Sequence, residues 1–284
     1  MKFWLCLQGT PADELVQSAR DAEALGYEGV WLPEHLVVKD GERTPHPTGY
    51  PLQTDEEFPD PFLVFAAMSA VTTRLRFMTY VYVVPLRNVF SLTKQVATLA
   101  LLSGNRFVLG TGVGWLPEEF DIVGEEWSTR GRRFDEMLDI MRDFWDDGYA
   151  EYHGTYFDFP RSGMFPVPTQ QVPLWIGGHS GPAAQRAARF DGYMPMDGLH
   201  DRTRAEFTAI DGYRRKNGLD GAYERVIVAP PGADADEIRR LEVEEGITTV
   251  TVAPFFALGE PPPQTRDDRY ALAARYMEEI IAKV

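Results

Sequence analysis

Residues 75–114 read LRFMTYVYVVPLRNVFSLTKQVATLALLSGNRFVLGTGVG, and the pattern within this stretch decides the fold. Leu75 to Val84 is an apolar run rich in β-branched and aromatic residues, which predicts a buried strand, and Pro85 ends it. Apolar residues then recur at helical spacing until Gly104, at Val89, Leu92, Val96 and Leu99, before a second short apolar run at 107–109. A strand, a helix and a strand in this order predict parallel βα units.

The same alternation continues toward both ends of the chain. Strands are predicted at 3–7, 29–32, 75–84, 107–109, 174–176, 193–194, 225–228 and 248–252. Helices are predicted at 10–25, 60–72, 86–101, 129–147, 181–190, 202–216, 234–244 and 267–282. Neither a repeat nor a linker interrupts the 284 residues. We therefore expect one α/β domain over residues 1–284, folded as a (β/α)8 TIM barrel, a fold that typically needs about 250 residues.

Two long segments, 37–59 and 149–173, carry no periodicity. In compact domains such segments are usually functional or disordered. Because active sites of these barrels lie at the C-terminal face of the strands, we expect both insertion loops there, lining the substrate mouth. Their aromatic residues favour a bulky apolar or aromatic small-molecule substrate, although aromatics also pin loops down; they include Tyr50, Phe58, Tyr156, Phe157 and Phe159.

Composition and motifs exclude several classes of protein. A net charge of −15 disfavours binding to nucleic acid. No run approaches the roughly 18 apolar residues of a membrane span, and the N-terminus reads as a strand rather than a signal peptide. A single cysteine, Cys6, predicts a reducing, cytoplasmic location. The five histidines lack metal-ligand spacing, and neither a nucleophile elbow nor a P-loop is present, so we expect no metal.

Two polar residues, Glu34 and His35, follow the second predicted strand. Strand ends of these barrels are enriched in active-site residues, and histidine exchanges protons most readily near neutral pH. His35 is therefore a candidate acid or base, with Glu34 as its neighbour. A surface turn with two polar residues fits the same sequence.

Two glycine-rich turns are candidates for ligand binding, residues 110–115 (GTGVGW) and residues 177–180 (GGHS). Glycine lets the backbone approach a flat ligand, and free N–H groups before a helix favour an anion. A tight βα turn and a turn capped by Ser180 explain these residues equally well. Arg130 begins a helix, where the macrodipole disfavours cations, so it predicts an anion contact, an acidic neighbour or a solvated face.

Five segments together resemble the luciferase-like monooxygenase superfamily, and within it the coenzyme F420-dependent oxidoreductases. They are LGYEGVWLPEHL (25–36), DPFLVFAAMSAVTTRLRFMTYVYVVPLRNV (60–89), KQVATLALLSGNRFVLGTGVGWLPEEF (94–120), TRGRRFDEML (129–138) and VPLWIGGHSGPAAQRAARFDGY (172–193). The last third of the chain matches weakly. The combination is far more specific than any single glycine-rich turn.

The resemblance implies a deazaflavin or flavin ring in the barrel mouth, with Glu34 and His35 facing it and His35 as a candidate proton donor. It also implies a bulge in the third strand, with a non-prolyl cis peptide at Tyr80–Val81. Implied cofactor contacts are Thr79, Tyr80, Val81, Thr111, Gly112, Val113, Gly114, Trp115 and Arg130, with the phosphate at Gly177, Gly178, His179 and Ser180. Tyr80 stands where many members have Gly or Ser, His179 is less usual than a small or amide residue, and no basic groove for a polyglutamyl tail is evident.

Three functions follow as hypotheses. The first is hydride transfer between coenzyme F420 and an organic substrate. The second is oxygenation by reduced FMN and O2, with a separate flavin reductase as partner. The third is a non-catalytic flavin-binding relative. Helix 86–101 is apolar enough to serve a homodimer, as the family often forms, although core packing explains the same residues.

Overall fold

The computed structural model describes residues 1–219 and 221–284. Its strands are β1 (Lys2–Cys6), β2 (Gly29–Leu32), β3 (Arg76–Thr79), β4 (Tyr82–Val83), β5 (Phe107–Gly112), β6 (Tyr149–His153), β7 (Asp158–Gly163), β8 (Leu174–Ile176), β9 (Gly192–Tyr193), β10 (Glu224–Val228) and β11 (Thr249–Val252). Its α-helices are α1 (Leu15–Leu25), α2 (Pro61–Ser69), α3 (Val89–Leu102), α4 (Pro117–Val123), α5 (Arg130–Asp147), α6 (Gly181–Ala187), α7 (Asp201–Lys216), α8 (Ala235–Glu245), α9 (Pro254–Ala257) and α10 (Arg266–Glu279).

The main sheet closes on itself. Its strands follow the order β3-β2-β1-β11-β10-β9-β8-β5-β4, and an additional pairing of β3 with β5 completes the ring. All these pairs are parallel, and β3 and β4 are two pieces of one stave. The barrel therefore has eight staves with helices outside, which confirms the predicted (β/α)8 fold.

Two tryptophans fill the barrel where its strands begin. Trp4 and Trp175 are almost fully buried and meet edge to face, with ring centroids 5.8 Å apart. Each faces a glycine: a Cβ on Gly29 would lie 2.5 Å from the ring of Trp4, and one on Gly192 would lie 2.6 Å from Trp175. Large rings opposite missing side chains close this end, since protein interiors tolerate few voids.

The third stave carries a bulge toward its C-terminal end. Met78 pairs with Val108 and Tyr82 with Thr111, so three residues, 79–81, oppose two, 109–110. The extra residue breaks the stave into β3 and β4. The peptide bond between Tyr80 and Val81 is cis, at the position that the family resemblance indicated.

The apolar face of helix α3 packs against the core of its own domain, so it is not left free for a second subunit. Seven of its residues are buried: Val89, Leu92, Thr93, Val96, Ala97, Leu99 and Ala100. Its Phe90 packs against Phe159 of β7, with ring centroids 5.2 Å apart. Core packing is thus sufficient to explain the hydrophobicity of this helix.

The second insertion differs from its predicted position. Residues 149–163 form an antiparallel hairpin, β6 with β7, rather than an irregular loop. The hairpin connects the end of α5 to the start of β8, so it leaves the barrel at the N-terminal face of the strands. Its Phe159 stacks on Phe144 of α5 at 5.9 Å. Of the two insertions, only 37–59 lies at the mouth.

Two short helices, α4 and α9, follow β5 and β11 and were not predicted. Among the described residues, no helix combines the length and the apolar character that crossing a membrane requires.

Candidate active site at the barrel mouth

Glu34 is buried at the end of β2, with 5% of its surface exposed. It accepts a hydrogen bond from the guanidinium of Arg87, which follows the turn after β4, and a 3.4 Å bond from the backbone N–H of Val83. Burial raises the pKa of Glu34 to about 7; the charge of Arg87 opposes this rise, and the carboxylate of Glu119 adds to it. Glu34 therefore exchanges a proton near neutral pH while it anchors the segment after the bulge.

His35 is held by Glu119. The Nδ1 atom of His35 lies 3.2 Å from Oε2 of Glu119, whose other oxygen accepts the backbone N–H groups of Leu36 (2.6 Å) and Val37 (3.3 Å). The side chain of Glu119 is 2% exposed, so the carboxylate is fixed. The Nε2 atom of His35 makes no hydrogen bond among the described residues. A carboxylate on one ring nitrogen orients the imidazole and leaves the other nitrogen for chemistry.

The contact between His35 and Glu119 was not predicted from the sequence. Glu119 belongs to α4, 84 residues from His35 along the chain. In the sequence, Glu119 is marked only by its position shortly after the C-terminal end of β5. Active-site residues of these barrels concentrate at such strand ends.

Aromatic rings surround His35. Its ring centroid lies 5.1 Å from that of Phe58 and 5.6 Å from that of Trp115, both edge to face. His46, from the insertion 37–59, also packs against Trp115, with ring centroids 4.6 Å apart. Glu118 fastens the same insertion by accepting the backbone N–H of Thr44 at 2.8 Å. The insertion thus folds over the mouth and shields His35.

The two predicted threonines point into the protein. Thr79 and Thr111 are fully buried. The hydroxyl of Thr79 donates to the carbonyl of Gly110 at 2.7 Å, and that of Thr111 donates to the carbonyl of Tyr82 at 2.8 Å. Their side chains therefore tie β5 to the bulged stave, and any contact with a ligand would come from their backbone.

Several glycines of the two turns serve the bulge. A Cβ on Gly110 would overlap the carbonyl oxygen of Thr79. A Cβ on Gly112 would lie 3.2 Å from Val81, and one on Gly177 would lie 2.8 Å from it. Val81 is only partly buried and rests against both glycines. These glycines thus have a packing reason, distinct from the close approach to a ligand for which they were singled out.

The first turn continues with Val113, Gly114 and Trp115, all partly buried. Gly114 has a φ of +81°, and a Cβ there would lie 2.8 Å from both Phe120 and Val83. This residue therefore has to be glycine on two counts, its backbone conformation and its neighbours.

The second turn leaves backbone donors free. Gly178 has a φ of +113°, and Ser180 caps α6 by accepting the N–H of Ala183 at 3.2 Å. Among the described residues, the N–H groups of Gly178, His179 and Ser180 donate no hydrogen bond. Ser180 is thus a helix cap, and the same turn presents N–H groups to solvent.

His179 lies between two carboxylates. Its Nδ1 atom lies 3.2 Å from Glu206, and its Nε2 atom lies 3.3 Å from Asp197. The hydroxyl of Tyr193 donates to Glu206 at 2.7 Å, so that carboxylate is fixed. A positive charge on His179 would be offset locally by these acids, so it would add little to the binding of an anion at this turn.

Arg130 is a cation without an acidic partner in the described part of the chain. Its guanidinium stacks on Trp127 at 3.4 Å and donates to the carbonyl of the same residue at 3.0 Å. Its Nε atom is buried and has no hydrogen-bond partner. Burial lowers the pKa of Arg130. Arg133, by contrast, pairs with Glu125 at 3.0 Å, so an acidic neighbour explains this nearby cation but does not explain Arg130.

A cavity of about 620 Å³ opens at the mouth. Its inner wall includes Cys6, Trp31, Tyr80, Met196 and Thr251, and Tyr50 of the insertion covers it. The hydroxyl of Tyr80 donates to the carbonyl of Pro195, and burial raises the pKa of Tyr80. No group of three or more His, Cys, Asp or Glu side chains within residues 1–219 and 221–284 is arranged to hold a metal ion.

Known proteins resemble this chain in sequence and in fold. An uncharacterized protein of Mycobacterium tuberculosis is 34% identical over 285 residues, 94% of each chain. The F420-dependent glucose-6-phosphate dehydrogenase of Microbacterium testaceum is 31% identical over 194 residues, 66% of this chain and 53% of that one.

A solved structure shares the fold at 17% identity. It is a type II Baeyer–Villiger monooxygenase, the oxygenating constituent of 3,6-diketocamphane monooxygenase from Pseudomonas putida, in complex with FMN. Its TM-score is 0.63, over 86% of this chain and 71% of that chain. The proteins similar to this chain thus include oxidoreductases that use F420 and oxidoreductases that use FMN.

The luciferase-like monooxygenase profile matches residues 4–269, which is nearly the whole chain. The match includes the C-terminal ends of all the strands from β1 to β11. The closed barrel, the bulged third stave and the clustered polar groups at its mouth agree with that match. This chain therefore belongs to the luciferase-like monooxygenase family.

Proposed function

We propose that this protein transfers a hydride between coenzyme F420 and a small organic substrate, and that His35 donates or accepts the accompanying proton. The observation that carries the proposal is the contact between His35 and the buried Glu119. An imidazole that is oriented by a carboxylate and retains one free nitrogen is the usual form of a general acid or base. The similarity to an F420-dependent dehydrogenase supports the choice of cofactor.

The chain offers a site for the cofactor phosphate. The free N–H groups of residues 178–180 and the unpaired Nε of Arg130 are polar donors that lack a partner in the described chain. Donors of this kind fit an anion. Val81, lying on Gly112 and Gly177, would form the wall behind the ring. When bound, the deazaflavin would supply or accept the hydride.

The residues of the chain would handle the proton and exclude water. Glu119 holds Nδ1 of His35, so that Nε2 is the atom that exchanges a proton with the substrate. Phe58 and Trp115 enclose the imidazole ring of His35 and limit the access of water to it. Glu34 and Arg87 anchor the segment after the bulge and so fix the wall against which the ring would lie.

A second candidate is a monooxygenase that uses reduced FMN, with a separate flavin reductase as partner. Two observations favour it: the similar fold of an FMN-bound monooxygenase, and the net charge of −15, which disfavours a polyanionic cofactor tail. A non-catalytic flavin-binding protein is the weakest candidate, because it gives the His35–Glu119 pair no purpose.

Cofactor titration separates these candidates. The purified protein is titrated with F420 and, separately, with FMN, each oxidised and reduced, while the fluorescence of the ligand is followed. Tight binding of F420 alone supports the proposal, and a panel of alcohols, enones and imines then identifies the substrate class. Tight binding of FMN alone transfers the proposal to the oxygenase. Binding of neither overturns both.

A further inference from the structure

We infer that the mouth cavity continues into a lateral lobe between α1 and α10, and that this lobe binds the unbranched aliphatic tail of the substrate. The inference deepens the proposed function and rests on it for the identity of the ligand as a substrate. The lobe itself is carried by the shape, the lining and the charges of the cavity.

The cavity bends over the end of β1. Cys6 faces the inside of the barrel, whereas Leu5 and Leu7 belong to the core between the barrel and its helices. Successive side chains of a strand point to opposite faces, yet all three residues line the same cavity. The cavity therefore passes over the loop that follows β1, where Gln8, Gly9 and Thr10 also line it.

Small and apolar residues form the walls of the lobe. Ala22 and Leu25 line it from α1, Leu272 and Ala273 line it from α10, and Pro262 and Pro263 line it from the segment before α10. Close-packed interiors leave few voids larger than a water molecule. The mouth and the lobe together enclose about 620 Å³, which is instead in the range of small-molecule binding sites. A continuous cavity of this size, of which the lobe is one part, is too large to be a packing defect.

The charged groups of the lobe are already neutralised. Arg266 pairs with Asp21 at 2.7 Å, and Arg269 pairs with Glu14. Burial raises the pKa of the Cys6 thiol to about 12, so this group is uncharged as well. The Nε atoms of Arg266 and Arg269 are buried without a hydrogen-bond partner. Each guanidinium nevertheless has its own carboxylate, unlike that of Arg130, so these pairs carry no net positive charge and the lobe suits an apolar tail better than an anionic part of a cofactor.

Polar groups remain at the barrel end of the cavity. Gln8 is held by Glu56 of the insertion at 2.9 Å, and the hydroxyl of Tyr50 donates to the same carboxylate at 2.8 Å. Gln8 and Tyr50 line the cavity together with Trp31 and Tyr80. The expected ligand is therefore a linear molecule with one oxygenated end at the mouth and a hydrocarbon tail in the lobe, such as a long-chain alcohol or ketone.

Filling the lobe tests the inference. Ser18 lines the lobe from α1, and its hydroxyl donates only to the carbonyl of Glu14, at 3.1 Å. Ser18→Trp adds bulk inside the lobe, and Ser18→Ala is the matched control that adds none. Leu25→Trp is a second filling variant, in case the first does not fold. The probes are linear 2-alkanones from 2-butanone to 2-decanone, and the Kd is measured by calorimetry on the intact protein.

We expect the affinity of the unmodified protein to rise about fourfold per methylene along the series, because each buried CH₂ contributes that factor. Ser18→Trp should weaken 2-decanone by more than tenfold and leave 2-butanone and the cofactor titration unchanged, while Ser18→Ala should match the unmodified protein. A flat chain-length series, or full 2-decanone affinity in both filling variants, overturns the lobe. Failure of F420 and FMN to bind, with the chain-length series intact, overturns the proposed function and leaves the lobe standing.

Discussion

Two partly enclosed glutamates at opposite ends of the barrel behave in opposite ways. Burial alone would raise the pKa of Glu224, at the start of β10, but hydrogen bonds from Lys2 and Thr248 lower it. Glu34, at the end of β2, has Arg87 beside it, yet burial raises its pKa to about 7. At the N-terminal end of the strands, hydrogen-bond donors stabilise the charged form of Glu224. At the C-terminal end, burial favours the protonated form of Glu34.

The same contrast holds for glycine. At the bottom, Gly29 and Gly192 make room for tryptophan rings that close the barrel. At the top, Gly112 and Gly177 make room for Val81, the residue after Tyr80, which lines the open cavity. One end is filled by side chains, and the other keeps a cavity, a free imidazole nitrogen and unbonded N–H groups. The tightly packed end and the end proposed to bind the ligand are thus separated along the barrel axis, as is general for this fold.

The largest expected effect concerns the top alone. His35→Ala should keep the fold and the cofactor affinity but lower turnover by about 10²–10⁴-fold, because positioned acid–base groups contribute that factor. Turnover is measured with a substrate identified by the panel, and stability by urea unfolding. His46→Ala is the control, since His46 packs on the same Trp115 but hydrogen-bonds only within the insertion, to Thr48. Equal turnover in both variants would remove His35 from the mechanism.

The two glutamates predict pH dependences of opposite sign. The pKa of Glu34 rises from 4.5 in the unfolded chain to about 7 in the fold, so its contribution is fully present below pH 4.5 and is lost as pH rises toward 7. By linkage this loss is about 3 kcal/mol. Glu224 has a lowered pKa, so its contribution is present above its unfolded value and is lost as pH falls.

Unfolding free energies of Glu34→Gln and Glu224→Gln, measured from pH 4 to pH 8, test this pair. Relative to the unmodified protein, Glu34→Gln should gain stability as pH rises, and Glu224→Gln should lose it. Each substitution also removes contacts, which shifts the free energy of unfolding by a constant amount at every pH. The test uses only the sign of the slope of the stability difference against pH, so this shift does not affect it. Slopes of the same sign would show that the pKa values of Glu34 and Glu224 are not shifted in opposite directions.

A smaller effect probes the filled end. Gly29→Ala places a methyl group 2.5 Å from Trp4 and 2.7 Å from the carbonyl oxygen of Arg76, and the latter is backbone that cannot swing away. Overpacking of this kind costs about 2 kcal/mol, measured as a lower urea midpoint. Gly212→Ala, in the middle of α7 with no atom within 4 Å of the new Cβ, should instead stabilise by about 0.5–1 kcal/mol. A stable Gly29→Ala variant would show that the bottom is less tightly filled than described.

Sequence periodicity predicted the barrel well because each βα unit is a local pattern. Strands such as 225–228 and helices such as 234–244 are read from neighbouring residues, and the structure places β10 and α8 there. The hairpin 149–163 was missed because the alternation of burial is confined to the five residues of β6, whereas β7 does not alternate regularly and contains Pro160. Local patterns carry little information on such edges.

The site was predictable only in part, for a related reason. Glu34 and His35 stand out as polar residues at a strand end, and the family resemblance indicated the bulge at Tyr80–Val81. The contact of His35 with Glu119 spans 84 residues, and the lateral lobe joins α1 to α10 at the far end of the chain. Pairings over such distances arise when the barrel closes, and a periodicity of two or 3.6 residues does not encode them.

The smallest expected effect tests the anion site of the open end, and it requires a control because the backbone is unusual. Gly178 has a φ of +113°, so any side chain there is strained, and a loss of affinity in Gly178→Asp alone would prove little. Gly178→Asn carries nearly the same shape and the same strain without the charge. If residues 178–180 hold a phosphate, Gly178→Asp should bind the cofactor about tenfold more weakly than Gly178→Asn, since like charges a few ångströms apart repel by about 1–4 kcal/mol. The difference should shrink in 1 M salt, where the Debye length is about 3 Å. Equal affinities at low salt would mean that these N–H groups face only water, and that the open end of the barrel binds its cofactor elsewhere.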